Sequence, residues 1–192
     1  MQQLPLFEGT PDTPKGFRYR DDLLSAAEER LLVDHLSRLP FAPFEFHGFQ
    51  GRRRVVSFGW RYAFDGSGLG PSDPMPDFLL PIRSAAGEFA ALPAEMLEHV
   101  LITEYAPGAG IGWHKDRSVF GDTIGLSLLA PCRLRFRRRR KNGWDRADVV
   151  ARPRSVYLLR GEVRSEWEHS IPPVDALRYS ITFRTLAAAR SR

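Results

Sequence analysis

Cysteine is nearly absent: Cys132 stands alone in 192 residues. A single thiol excludes an intramolecular disulfide and agrees with a reducing compartment, and its simplest role is that of a small buried apolar side chain. Long hydrophobic runs are missing too. No apolar stretch approaches the roughly 20 residues of a membrane-crossing helix, and no secretory leader is read at the start. The expected location is therefore the cytoplasm, with no membrane contact. Internal repeats are also lacking. Acids are missing from one stretch, residues 133–141 (RLRFRRRRK), where seven of the residues are basic. The chain holds 28 basic and 23 acidic residues, a net charge of +5. The excess sits in that stretch, and the remainder is slightly acidic. A patch this local suits a polyanionic partner or the solvated tip of a hairpin.

At this length and 43% hydrophobic residues the chain suits one domain with an adequate core; a monomer is the default expectation. Residues 1–15 hold three prolines, a glycine and little periodicity, and read as a flexible tail. Ser25 and Glu28 form a capping box, and Leu31, Leu32, His35, Leu36 and Leu39 follow at helical spacing up to Pro40. On that stripe His35 reads as structural. A second helix is marked by Phe78, Ile82, Ala85 and Phe89, with Pro81 in its first turn. A short third one should follow Pro93. Residues 17–23 read as a strand, and residues 65–76 as a glycine- and proline-rich loop. From Val100 onward the chain is mostly short strands separated by turns, the pattern of a jelly roll or sandwich.

Chemistry concentrates in residues 101–117, LITEYAPGAGIGWHKDR. They read as a strand, a Pro-Gly turn and a second strand ending in His114, Lys115 and Asp116. On extended backbone, residues two apart point to one face. Imidazole and carboxylate together suit a first-row metal, and a third ligand is available at His169. Two histidines and one carboxylate form the facial triad of non-haem Fe(II) oxygenases. Near the end, in RYSITFRTL, Arg178 and Arg184 share a strand face, and guanidinium forks suit the carboxylates of a dicarboxylate cosubstrate.

Taken together, Tyr105-Ala-Pro-Gly, His114-Lys-Asp116, His169 and Arg178-Tyr-Ser-Ile-Thr-Phe-Arg184 resemble the AlkB family of 2-oxoglutarate/Fe(II) dioxygenases. The resemblance implies an α+β, mainly β fold. Residues 16–192 would form one domain, with a double-stranded β-helix (jelly roll) at about 98–188, N-terminal helices, and a β-ribbon nucleotide-recognition lid at about 41–64. It implies Fe(II) on His114, Asp116 and His169, with 2-oxoglutarate and O2 completing the site. Arg178 and the Tyr105 hydroxyl would hold the distal carboxylate of 2-oxoglutarate, and Arg184 would sit at the carboxylate near the metal. Thr103 and Ser180 stand where the family commonly has asparagine; both can still hydrogen-bond, over a shorter reach.

The implied reaction is oxidative demethylation of alkylated bases of the 1-methyladenine and 3-methylcytosine type, in DNA or RNA, with release of formaldehyde and succinate. An oxygenase of the same mechanism acting on protein or a small molecule, or a binding module without catalysis, would lack a need for part of this set. Arginines mixed with aromatics suit phosphates and stacked bases. Arg52, Arg53 and Arg54 are therefore expected at phosphates, Phe58 or Tyr62 near the base, and Trp113, Phe120 and Trp167 as pocket walls. Ser118 falls where the founding member has a second Asp near the target base, with Asp122 a few residues on. Lastly, Gln3, Leu4, Pro5, Leu6 and Phe7 resemble the short peptide by which bacterial repair proteins dock on the sliding clamp.

Overall fold

Alternation along the last strand sets the architecture. In residues 178–186, Tyr179, Ile181 and Phe183 fall on one face, and Arg178, Ser180, Thr182 and Arg184 on the other. The first set is buried beneath helices and the second is turned toward a cavity. The computed structural model describes residues 13–46, 49–63 and 66–187. The clamp-like peptide at Gln3 to Phe7 lies outside the described residues.

In chain order the elements are β1 (Phe17–Arg20), α1 (Ala26–Ser37), β2 (Ala42–Phe46), β3 (Phe49–Phe58), β4 (Trp60–Ala63), β5 (Gly68–Pro71) and α2 (Leu80–Ala90). There follow β6 (His99–Tyr105), β7 (Ile111–His114), β8 (Phe120–Leu128), β9 (Cys132–Arg140), β10 (Gly143–Ala151), β11 (Val156–Leu159), α3 (Glu162–Ser165), β12 (Glu168–Ile171) and β13 (Arg178–Leu186). The strands form a seven-stranded sheet in the order β1-β11-β8-β13-β6-β3-β2, a four-stranded sheet β10-β9-β12-β7, and a β4-β5 ribbon. The pairings that build them are antiparallel. The result is the expected mainly-β jelly roll with helices on one side.

Each face of the large sheet has its own core. Outside, Val100, Ile102, Ile124, Leu126, Ile181 and Phe183 meet Leu32 and Leu36 of α1 and Ile82, Ala86 and Phe89 of α2. Inside, Tyr105, Tyr157 and Leu159 of the large sheet meet Leu134, Phe136 and Ile171 of the small one. Cys132 is buried in this second core, as expected of a lone apolar thiol.

The α1 capping box is formed: the Glu28 N–H donates to Ser25 Oγ at 3.2 Å and the Ser25 N–H to Glu28 Oε2 at 2.7 Å. Leu31, expected on the buried stripe, is instead 68% exposed. At about 100° per residue it sits off the face that Leu32 and Leu36 define. Glu29 takes the inward place, accepting from the Leu129 N–H at 2.8 Å and facing Arg154 at 3.5 Å. In α2 the buried alanines are Ala86 and Ala90, and Ala85 is only partly buried.

Three boundaries differ from the sequence reading. β1 stops at Arg20, because Asp22 adopts a left-handed φ of 51° and turns the chain into the helix cap. Residues 68–71 are a strand rather than loop, pairing Trp60 with Pro71 and Ala63 with Gly68. The helix expected after Pro93 is one 3₁₀ turn, Ala94–Met96. No helix among the described residues is long and apolar enough to cross a membrane.

Candidate active site

β7 and β12 are neighbours in the small sheet, and their register places His114 directly opposite His169. The two rings lie 4.2 Å apart between centroids. Asp116 follows two residues beyond His114, just past the strand end. One ligand atom from each of His114, Asp116 and His169 falls within 4.8 Å of the others, the spacing of a three-ligand metal site. The His114 Nδ1 lies 2.9 Å from the Gly112 carbonyl oxygen. Donation there leaves Nε2 as the metal-binding nitrogen.

The carboxylate is held from three sides. The Thr123 hydroxyl donates to Asp116 at 2.9 Å, Arg184 approaches its two oxygens at 3.3 and 3.5 Å, and Arg164 stands at 4.0 Å. Burial would raise the Asp116 carboxyl. Arg184, His169, Arg164 and His114 outweigh it and hold the group well below the usual carboxylate range. It is therefore an anion at neutral pH. Desolvation also pushes His169 down to about 3, with His114 adding to the effect, and lowers His114. Both imidazoles are neutral at pH 7, the state a metal requires. The same Arg164 binds the loop after Asp116 through backbone alone. It donates to the carbonyls of Gly121 at 2.9 Å, Asp116 at 3.2 Å, Arg117 at 2.6 Å and Phe120 at 2.8 Å.

A pH dependence follows. His99 and His169 are both lowered to about 3 in the fold, so between that value and their ordinary 6.5 the unfolded chain binds the extra protons. Stability is full above 6.5 and falls as pH drops below it, by about 1.4 kcal/mol per pH unit for each such histidine. Denaturant melts of the metal-free protein at pH 7.5, 6.0 and 5.0 should give a progressively lower midpoint. An unchanged midpoint would contradict neutral burial of these rings.

The other end of the site is built by β6 and β13. Their register pairs Arg178 with Tyr105, Ser180 with Thr103 and Arg184 with His99. All of these project toward the space between the sheets. Arg178 is only 1% exposed, and its guanidinium lies 4.7 Å over the Tyr105 ring. Nη2 donates to Ser127 Oγ at 3.0 Å, whereas Nε and Nη1 have no partner. Buried cationic N–H groups without acceptors are costly, so the geometry fits a carboxylate here. Burial raises the Tyr105 and Tyr157 phenols, which stay protonated and able to donate.

Between His114, Asp116 and His169 on one side and residues of β2, β3 and β4 on the other lies a cavity of about 1480 Å³. This exceeds the ~300–1,000 Å³ of an ordinary small-molecule site, leaving room for a second, larger reactant. Arg53, Tyr62, Trp113, Ser118 and Phe120 line it, as does Thr103 with Ser180. Arg53 stacks on Phe44 at 3.8 Å, and Arg117 on Tyr62 at 5.0 Å. Burial lowers the Arg53 guanidinium. Other expected contacts are placed elsewhere. Phe58 points to the helix side of β3 and is buried in the outer core, since Tyr62 and not Phe58 falls on the cavity face. Trp167 is buried between the sheets beside Val163, with Arg138 4.9 Å over its ring. Neither lines the cavity. Arg54 is engaged by Glu104 at 2.8 and 3.0 Å, an ion pair in place of the expected phosphate contact. Arg52 is exposed outside the cavity lining. Asp122 is bound to Arg160 at 2.7 Å.

Sequence reasoning missed His99, Thr123, Arg164 and Tyr157. His99 had a signal. It shares the parity of Tyr105, Thr103 and Leu101 and so faces the cavity. It is 3% exposed, and Nδ1 has no partner. Thr123 and Arg164 had none, because both reach Asp116 only through the tertiary fold.

Comparison with known proteins agrees with this geometry. A family model described as the 2OG-Fe(II) oxygenase superfamily matches residues 16–184. The chain belongs to this superfamily, an enzyme family that works with Fe(II), 2-oxoglutarate and O2. Within it the chain is AlkB-like. It is 29% identical over 145 residues to the alkylated DNA repair protein ALKBH8 homolog of Arabidopsis thaliana, covering 63% of this chain and 42% of that protein. It is 27% identical over 172 residues to the mouse (Mus musculus) tRNA (carboxymethyluridine(34)-5-O)-methyltransferase ALKBH8, covering 86% of this chain and 25% of that protein. The chain thus spans less than half the length of either relative. The solved structure of OsALKBH1 superposes with a TM-score of 0.65 at 14% identity, covering 90% of this chain and 99% of that one.

Proposed function

We propose that this dioxygenase oxidatively demethylates alkylated bases, of the 1-methyladenine and 3-methylcytosine type, in DNA and by extension in RNA. One observation carries the proposal. The cavity between metal site and lid is edged by paired planes of arginine and aromatic ring, Arg53 with Phe44 and Arg117 with Tyr62, beside Trp113. Aromatic faces take a flat base, including one that methylation has made cationic, and guanidinium groups take its phosphates. The cavity lining also carries Arg61 and Lys115, so cations outnumber the acids Glu45, Asp73 and Asp116. A neutral small-molecule substrate has no use for that surplus. A base within a duplex cannot enter, so the substrate is single-stranded or flipped.

In this reading His114, Asp116 and His169 hold Fe(II), and Arg178 with Tyr105 binds the distal carboxylate of 2-oxoglutarate. Thr103 and Ser180 flank the cosubstrate, and Arg184 both steadies Asp116 and approaches the carboxylate near the metal. When bound, Fe(II) and 2-oxoglutarate would supply the chemistry for O2 to oxidise the N-methyl group, with succinate, carbon dioxide and formaldehyde as products. The chain's own contribution is to orient the two reactants and exclude water. Ser118, at the cavity wall, is uncharged where a carboxylate would have favoured a cationic base, which makes it a determinant of base preference.

The test is formaldehyde release from single- and double-stranded DNA and RNA oligonucleotides carrying 1-methyladenine or 3-methylcytosine, with Fe(II), 2-oxoglutarate and O2. One formaldehyde per succinate is expected, and none from His114→Ala. Succinate formed without dependence on any oligonucleotide would reject nucleic acid as the substrate while keeping the oxygenase.

A further inference from the structure

The basic run at residues 133–141 divides by parity once β9 is formed. Cys132, Leu134 and Phe136 point into the core. Arg138 continues that inner side at the hairpin end and is tied to Asp145, Glu162 and Glu166 at 3.0, 2.8 and 2.9 Å. Arg140 is also paired with Asp145. These two cations serve the hairpin itself. Arg133, Arg135, Arg137 and Arg139 have the opposite parity and stand on the outer face of the small sheet.

On that face, guanidinium and indole planes alternate. Arg135 lies 5.0 Å from the Trp113 ring, and Arg137 lies 4.4 Å from it on the same strand. Arg137 is also 4.5 Å from Trp144, and Arg139 is 5.2 Å from Trp144. Trp113 stands at the cavity and Trp144 at the hairpin end of β10, directly across from Arg139. The row therefore starts at the active-site cavity and runs outward along the sheet. Trp144 is 37% exposed, an unusual position for an indole on an open strand. Glu168 binds Arg137 at 2.6 Å and Ser170 binds Arg135 at 3.1 Å, which holds these two planes in place. Arg139 has no carboxylate within ion-pair distance among the described residues.

We propose that this row is a track for the single strand that leaves the target base. Neighbouring bases stack on Trp113 and Trp144, and phosphates pair with Arg135 and Arg139. The inference rests on the nucleic-acid reading of the cavity and adds where the rest of the strand lies. Charge and geometry select this occupant. Planar groups in series match a strand whose every residue carries a planar base and one negative charge. An acidic peptide would use the charges but not the indoles.

The test compares a modified trinucleotide, which occupies the cavity only, with a modified single strand of about 12 nucleotides. For the wild type, KM should be lower for the longer strand. In Trp144→Ala combined with Arg139→Gln, KM for the longer strand should rise about 10- to 100-fold, the loss of one stacked base and one phosphate. The rise on the trinucleotide should be smaller by tenfold or more. The dependence of log Kd on log salt should flatten by about 0.7 for one lost phosphate contact. Trp144→Phe, which keeps an aromatic plane, should restore most of the affinity. Equal losses on both lengths, no loss on either, or equal competition by polyglutamate would each overturn the track.

Anisotropy with an unmodified fluorescent strand of the same length separates this proposal from the preceding one. Binding that depends on Trp144 without any demethylation keeps the track and removes the demethylase. Demethylation with binding indifferent to Trp144 and Arg139 does the reverse.

Discussion

His169→Ala is expected to reduce 2-oxoglutarate turnover by more than about 1,000-fold, since even partners behind a metal ligand cost about 10- to 100-fold when lost. The loss should act through metal affinity. His169 is one of three protein donors gathered at this point among the described residues, and its ring faces that of His114 at 4.2 Å. With it gone, two donors remain, and one of them, the Asp116 carboxylate, is shared with Arg184 and Arg164. The fold should persist, because Phe136, Ile171 and Leu134 still close the core around the vacated position. Removing one of two like-tending neutral histidines also relieves a proton-linked cost, so the metal-free variant should lose less stability at pH 5 than the wild type. Iron content by elemental analysis and succinate yield are the readouts. A variant that binds iron as well as the wild type would remove His169 from the ligand set.

Arg178→Met should uncouple stability from function in opposite directions. In the ligand-free protein Arg178 is a fully enclosed cation with two unpartnered nitrogens, beside the Tyr105 ring and Ser127. An apolar side chain of similar length removes the cost of desolvating that charge, and such replacements are often neutral or stabilising by about 1–4 kcal/mol. The melting temperature without cosubstrate should hold or rise. Binding of 2-oxoglutarate should fall by about 100-fold, corresponding to a charge-assisted hydrogen-bond pair worth roughly 3 kcal/mol. The Tm increase that 2-oxoglutarate gives the wild type should disappear, as mass action requires. Retention of that increase in Arg178→Met would place the distal carboxylate elsewhere. A large Tm loss without ligand would mean that the Ser127 contact is worth more than the buried charge costs.

Much of this site was legible in the sequence because it is written in short-range patterns. His114 and Asp116 lie two residues apart, and Arg178 and Arg184 share a strand face by parity alone. The fold class was legible for the same reason: alternating strands after Val100 can bury both faces of a sheet only in a layered β structure. What escaped reading depends on tertiary partners. Phe58 and Tyr62 look equally suited to a base, but pairing of β3 with β6 sets Phe58 beside Val100 in the outer core, while Tyr62 lies on the separate β4-β5 ribbon at the cavity. Trp167 looks like a pocket wall until α3 and Arg138 close over it. The basic run reads as one patch, yet Arg133, Arg137, Arg138 and Arg140 are paired with acids of β10, β12 and α3 that are distant in sequence or lie across the hairpin. Leu31 was misplaced by a single helical step, the smallest error periodicity permits.

The grip of Arg164 on the loop after Asp116 bears on how such an enzyme can change its diet. Its contacts there are to main-chain carbonyl oxygens, which every amino acid supplies. The loop's path is therefore insured against substitution of its own side chains. Arg117 and Ser118 sit on that loop at the cavity wall, while the carboxylate of Asp116 at its root is held in addition by Thr123 and Arg184. Positions 117 and 118 thus form an interchangeable cartridge, in which new preferences can be sampled generation by generation without gambling the metal centre.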